Sequence, residues 1–229
     1  MTITLIQADN AVWRVLGKTC SYDEWEVESG QILIDKRGNE GLNLAALHIA
    51  NHMQANHDFW FLLSGGDKDT FRYAFWALRA TYFAAPRWLS ALGTSLGQGA
   101  PGQEEKFCGF VMLQYDIVNN ERGQYLPLFL HANLLKHRYY GWGTEGRKIF
   151  QTIKRASQDI ADEPSLRRMR TWVYDDSGMC VDIEVKATNV DEPEVEQKVI
   201  TEPFEEVYGG AFKDVEGQWL RAGGKVGSW

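Results

Sequence analysis

Two apolar runs placed close together constrain this chain more than any other feature. Phe107 to Tyr115 reads Phe-Cys-Gly-Phe-Val-Met-Leu-Gln-Tyr, and Tyr125 to His131 reads Tyr-Leu-Pro-Leu-Phe-Leu-His. Both have strand length and strand composition, and Asn119 to Gly123 between them has the composition of a turn. Strands this apolar have to be buried in a sheet. A third strand is expected at Gln31 to Ile34, entered from Glu28-Ser29-Gly30 and left through Asp35-Lys36-Arg37, with Arg37-Gly38-Asn39 as its turn. Thr2 to Ile6 alternates like a short strand. Beyond Pro164, Thr171 to Tyr174 and Cys180 to Val185 alternate around Asp175-Asp176-Ser177-Gly178, the pattern of a hairpin.

Helical periodicity lies between these runs. Leu42, Ala45, Ala46, Ile49 and Met53 recur at three and four residues, which predicts a helix over Gly41 to Asn56. Phe71, Ala74, Phe75 and Leu78 predict a second helix, whose first turn Asp67 or Asp69 can cap. Asp9 or Asn10 can cap a short helix carrying Val12, Trp13, Val15 and Leu16, ended by Gly17. Phe59 to Leu63 is either a strand end or a buried turn. Ile149, Ile153 and Ala156 predict a helix over Gly146 to Ile160, with Arg147, Lys148, Lys154 and Arg155 on its solvated face. The glycines of Pro86 to Gly102 predict a mobile surface loop. Asp191 to Glu206 is acidic and contains proline, and the Gly-rich tail after it is expected to be loosely held. The expected class is α/β, with a main domain over residues 1–163 and a β-rich extension over 164–229.

With 229 residues, 44% hydrophobic and 24% charged, the chain can bury a sizeable core. A net charge of -7 disfavours nucleic acid or an anionic membrane surface as the main partner. An anionic nucleotide substrate then needs a metal ion or a local cluster of Lys and Arg. Cys20, Cys108 and Cys180 are scattered and odd in number, which fits neither a disulfide framework nor a zinc motif. Buried free thiols are expected, with one distant pair left open. No run approaches the ~20 apolar residues of a membrane span. The start Met1-Thr2-Ile3-Thr4-Leu5-Ile6 lacks the basic flank and long apolar region of a secretory signal, so a soluble chain without membrane contact of its own is expected. Nine Trp, nine Tyr and eleven Phe supply the core, and aromatic rings also stack on sugar faces.

The residues that carry chemistry cluster in three places. Ser64-Gly65-Gly66-Asp67-Lys68-Asp69-Thr70-Phe71 combines two glycines with two acids at a helix start, offering flexible backbone, open amides and paired carboxylates. The pattern suits gripping a polar substrate such as a sugar, and it is also that of an ordinary capped helix. His131, Asn133 and Lys136 follow an apolar strand and precede Tyr139-Tyr140-Gly141-Trp142, at the kind of strand end where open α/β sheets place ligands. His48 and His52 sit one helical turn apart, but Ile49 stands where a metalloprotease motif has its glutamate, so a solvated flank is expected there.

Together, several motifs resemble the fungal α-mannosyltransferase family that includes the Golgi enzymes branching cell-wall mannan. They are Asp23-Glu24-Trp25-Glu26, Glu28-Ser29-Gly30-Gln31 with Asp35-Lys36, Gly66-Asp67-Lys68-Asp69-Thr70-Phe71, Phe107-Cys108-Gly109-Phe110, Met112-Leu113-Gln114-Tyr115-Asp116 and Leu128-Phe129-Leu130-His131-Ala132-Asn133. The resemblance runs from about Asp9 to Lys136. It implies a GT-A-like fold with a Rossmann-like mixed sheet, GDP-mannose as donor, a mannoside or glycan acceptor, a manganese ion and transfer with retention of the α-linkage. It also implies a Golgi location and association with partner mannosyltransferase subunits.

By the same resemblance His131 is the metal ligand, and Lys136 meets the donor diphosphate. Asp67 and Asp69 orient the acceptor and stabilise charge on the sugar, and Glu28, Ser29, Gln31, Gln114 and Asn133 bind substrate. The family pattern includes an earlier half with a membrane anchor, nucleotide-binding βα units and an Asp-x-Asp at a strand end. The only Asp-x-Asp here is Asp67-Lys68-Asp69, at a helix start, and Lys68 stands where related families have an amide. The expectation is therefore the C-terminal part of such a transferase, the alternative being a non-catalytic sugar-binding or accessory subunit.

Overall fold

Of the residues that recur at three and four, Ala46, Met53, Ala74 and Phe75 are the ones buried in the first helix pair of the computed structural model. The structure describes residues 11–19, 30–64, 66–96, 106–132, 134–135, 149–157, 167–173, 179–185 and 199–226. These divide into two units with the break between Ala84 and Ala85. The expected boundary at residue 163 lies outside the described residues, and strands on both sides of it belong to one sheet.

The first unit is helical among its described residues, with α1 (Ala11–Val15), α2 (Leu42–Ala55), α3 (His57–Trp60) and α4 (Thr70–Ala77). On α2 the buried face is Ala46, Ala50 and Met53 with Ile49 beside them; Leu42 stays exposed. Small residues there let α4 approach closely, so Ala46 and Ala50 pack on Ala74 and Phe75. The opposite side of α4 is also covered, with Tyr73 and Trp76 clustering with Val12 and Trp13 of α1 and Met53 of α2. The predicted strand at Gln31 to Ile34 is absent: Gln31 lies in a bend, the segment joins no ladder, and Leu33 is 96% exposed. Other hydrogen bonds take the place of a ladder, since the Asp35 carbonyl accepts from Gly38 N in the turn and from Asn43 Nδ2 of α2. The run at Phe59 to Leu63 resolves as the end of α3 and a turn.

The second unit is built on seven described strands: β1 (Ser90–Leu96), β2 (Lys106–Asn119), β3 (Tyr125–His131), β4 (Thr152–Ala156), β5 (Arg167–Val173), β6 (Met179–Val185) and β7 (Val199–Pro203). Their order is β5-β6-β2-β1-β4-β7, with β3 also on β2. Every described pairing is antiparallel, so the described residues do not show the mixed sheet that a GT-A-like fold implies. One edge of β2 carries β1, and the other is shared by β6 at Gly109 and β3 from Met112 onward.

Lys154 of β4 and Asp182 of β6 are 2.6 Å apart although β1 and β2 lie between their strands in the sheet order. In a flat sheet three spacings of about 4.8 Å would put those strands beyond reach of one lysine, so the sheet coils. Ala91, Phe107, Ala156, Val181 and Ile183 fill one side of it. On the other side lies a larger cluster with Leu92, Val111, Leu113 and Ile153, covered by α5 (Phe204–Phe212) and α6 (Val215–Arg221). Glu216 of α6 accepts from the amides of Ile149 and Phe150, tying that helix to the chain entering β4. No helix among the described residues is long and apolar enough to cross a membrane.

Three expectations change here. Within the predicted helix at Gly146 to Ile160, Thr152–Ala156 is instead β4: Ile153 and Ala156 are buried through pairing with β1 and β7, a non-local gain that outweighs a local helical spacing. The predicted mobile loop contains β1, a central strand. Its Gly93 is needed for close approach, because a Cβ there would sit on the Cys108 carbonyl of β2. Gly93→Ala should therefore destabilise the sheet unit by about 1–3 kcal/mol in urea unfolding; an unchanged midpoint would mean that β1 and β2 do not approach this closely. The tail expected to be loosely held carries α5 and α6, with Trp219 packed against Phe150.

Cys108 and Cys180 form a disulfide between β2 and β6 rather than remaining free thiols, and both are fully buried. The open alternative of one distant pair is the arrangement present. Cys20 lies outside the described residues.

Candidate functional site

The loop before α4 is built by short-range bonds. Gly66 adopts a positive φ of 122°, Ser64 Oγ donates to the Gly66 carbonyl, and both the amide and the hydroxyl of Thr70 donate to the Asp67 carbonyl. Gln54 of α2 donates to Thr70 Oγ1 at 3.0 Å, fixing the loop to the neighbouring helix. Neither acid caps α4 through its side chain; the Thr70 hydroxyl and the Asp67 carbonyl close the first turn instead.

The two acids of this loop have opposite environments. Asp67 is exposed. Asp69 is 0% exposed, and its Oδ1 accepts from Arg72 Nη2 at 2.6 Å. The guanidinium lies 4.7 Å from the Trp76 ring centroid and 5.8 Å from that of Tyr73, so the ion pair is roofed by aromatic rings. Burial pushes the Tyr73 hydroxyl well above the usual tyrosine range, reinforced by Asp69 and opposed by Arg72. Burial also lowers Lys68, an effect that Asp69 partly offsets. The expectation that both acids face a substrate therefore meets a different geometry: Asp67 is the one solvent reaches, whereas Asp69 is spent on a buried pair. Arg72 was missed as its partner, although the three-residue spacing on a helix is a readable signal.

Gln31 lies in the segment before α2 of the helical unit, half-buried, with its Oε1 enclosed and without a hydrogen-bond partner among the described residues. Glu28, Ser29, Asn133 and Lys136 lie outside the described residues. In the sheet unit the structure brings Gln114 and His131 together. Gln114 of β2 is directly opposite Phe129 of β3, and Met112 is directly opposite His131. Opposed antiparallel residues share a face, and so do residues two apart on a strand, so all four side chains project from one face. The alternate residues Leu113 and Leu130 pack into the core on the other face. Phe129 was not singled out from sequence, though its two-residue spacing from His131 in a strand was the available signal.

The manganese ion that the resemblance implies needs carboxylate oxygens beside His131. Among the described residues no group of three His, Cys, Asp or Glu side chains is placed to hold a metal ion. The register neighbours of His131 are a thioether, a phenyl ring and an amide. The described residues therefore do not fit that ion.

Residues 21–116 match the protein family described as "Mannosyltransferase putative", a span somewhat under half of the chain. The matched span includes the Asp67–Asp69 loop and β2 as far as Asp116. It supports a mannosyltransferase-like family and, at that level, a glycosyltransferase-type enzyme with a sugar donor and a sugar acceptor. No curated protein and no solved structure matches the chain.

Proposed function

We propose that this chain transfers α-mannose from GDP-mannose to a mannan or glycoprotein glycan, with retention of the α-linkage, in a Golgi-type compartment. The family match over residues 21–116 carries this reading. The buried disulfide supports the compartment, because such bonds persist where the environment is oxidising. Asp67, the exposed acid of the loop, orients the acceptor hydroxyl and stabilises positive charge building on the sugar. Asp69 supports it by holding the loop to α4 through Arg72. Gln31, half-buried before α2, contacts the substrate on this reading. The GT-A-like comparison rests on the order of the motifs, and partner mannosyltransferase subunits are part of the same reading.

Full-length protein incubated with GDP-mannose labelled in the sugar and an α-mannotriose, in manganese and separately in EDTA, tests this directly. Labelled tetrasaccharide is expected in at least one arm, with Asp67→Asn lowering the rate by about 100-fold while thermal unfolding is unchanged. An Asp67→Asn rate within a few-fold of the parent would remove the role given to that acid. The enclosed Asp69 favours a second reading, a non-catalytic sugar-binding or accessory subunit, because only one acid of the pair is accessible. Binding of labelled sugar without product in either arm would establish that reading over the first.

A further inference from the structure

We infer that the β2–β3 face bearing Gln114, Phe129 and His131 is a saccharide-binding face on which a mannose-type pyranoside stacks against the Phe129 ring. The inference takes the identity of the sugar from the glycosyl-transfer reading; the face itself comes from the strand register. Gln114 and Phe129 are directly opposed, and His131 stands two residues along the strand from Phe129. Opposed side chains start about 5 Å apart and diagonal ones about 7–8 Å apart, so the ring lies between an amide and an imidazole within the span of one sugar.

Phe129 is 41% exposed, whereas its strand neighbour Leu130 turns into the core. The core does not claim this ring. A pyranose has an apolar C–H face that packs on an aromatic ring and a rim of hydroxyls that both donate and accept. An amide offers two donors and an acceptor, which matches such a rim better than it matches a cation or an anion. The same neighbours fail as a manganese shell, since none supplies a carboxylate oxygen. On this assignment His131 borders the stacked sugar along the strand, and Gln114 supplies the hydrogen bonds.

The test titrates the full chain, in EDTA, with methyl α-mannoside, an α-mannotriose and, separately, GDP, using calorimetry with thermal unfolding alongside. Phe129→Ala should weaken mannoside binding about tenfold and Gln114→Ala about fivefold. Phe129→Tyr should stay within about twofold, because it keeps the ring. None of the three should shift thermal unfolding, and GDP affinity should be the same in parent and Phe129→Ala. Mannoside affinity unchanged in Phe129→Ala would overturn the assignment. So would a restored or much tighter affinity on adding manganese, or a loss confined to GDP, which would make the ring a base platform. A parent that dimerises through this edge, binds no mannoside and becomes monomeric on Phe129→Ala would also overturn it, in favour of self-association. If labelled product forms while Phe129→Ala leaves mannoside affinity intact, only this face is lost. If the parent binds neither mannoside nor GDP and makes no product, the transfer reading falls with it.

Discussion

Replacing Cys108 and Cys180 together by alanine is expected to lower the stability of the sheet unit by about 4 kcal/mol. The bond closes a sequence separation of 72 residues, and closing a loop of that size removes much of the unfolded chain's freedom. Because both cysteines are fully buried, reductant should act on the native protein slowly and on the unfolded protein quickly. Urea unfolding with and without dithiothreitol measures both effects. The parent unfolded under reductant should fall to the stability of the double variant, and the variant itself should not respond. A double variant within about 0.5 kcal/mol of the oxidised parent would show that the cross-link adds nothing to β2 and β6 that their pairing does not already supply.

Asp69→Ala is expected to destabilise the helical unit by about 3–5 kcal/mol, because it takes the carboxylate from a guanidinium that is itself buried. Changing Arg72 to Met in the Asp69→Ala background should recover a large part of the loss, since the charge is then gone and a flexible apolar chain remains under Trp76. Asp67→Ala, two residues away on the exposed side of the loop, should cost less than about 0.5 kcal/mol. Thermal unfolding of the four proteins side by side decides this. Equal tolerance of the two Ala substitutions would mean that the Asp69–Arg72 pair does not hold α4. The comparison also governs how activity data are read: lost transfer in an Asp69 variant has to be separated from lost folding, whereas Asp67 isolates the chemistry.

Much of the fold was legible from local pattern. β3 has the predicted limits, β2 contains the predicted strand, and β5 and β6 pair as the alternation beyond Pro164 suggested. α2 and α4 lie where the apolar spacing put them. The failures share a cause. Gln31 to Ile34 has strand composition but no described neighbour to pair with, and β4 has helical spacing but a partner on each edge. β1 looked like a loop because its glycines and small side chains carry little periodicity, although small residues are what a central strand in close contact with β2 requires.

The candidate site divides along the same line. Sequence alone determined that the chain carries an acid pair after two glycines at a helix start, and Gln114 and His131 in or at the end of apolar strands. Those are properties of neighbouring residues, and side-chain period follows from backbone geometry within each segment. The tertiary structure decided that Asp69 is enclosed with Arg72 while Asp67 is not, and that Cys108 meets Cys180. It also decided that the register of β3 on β2 sets Phe129 between Gln114 and His131. Burial and register depend on which distant segments come together, and a slip of one residue would turn Phe129 to the core and Leu130 to the surface.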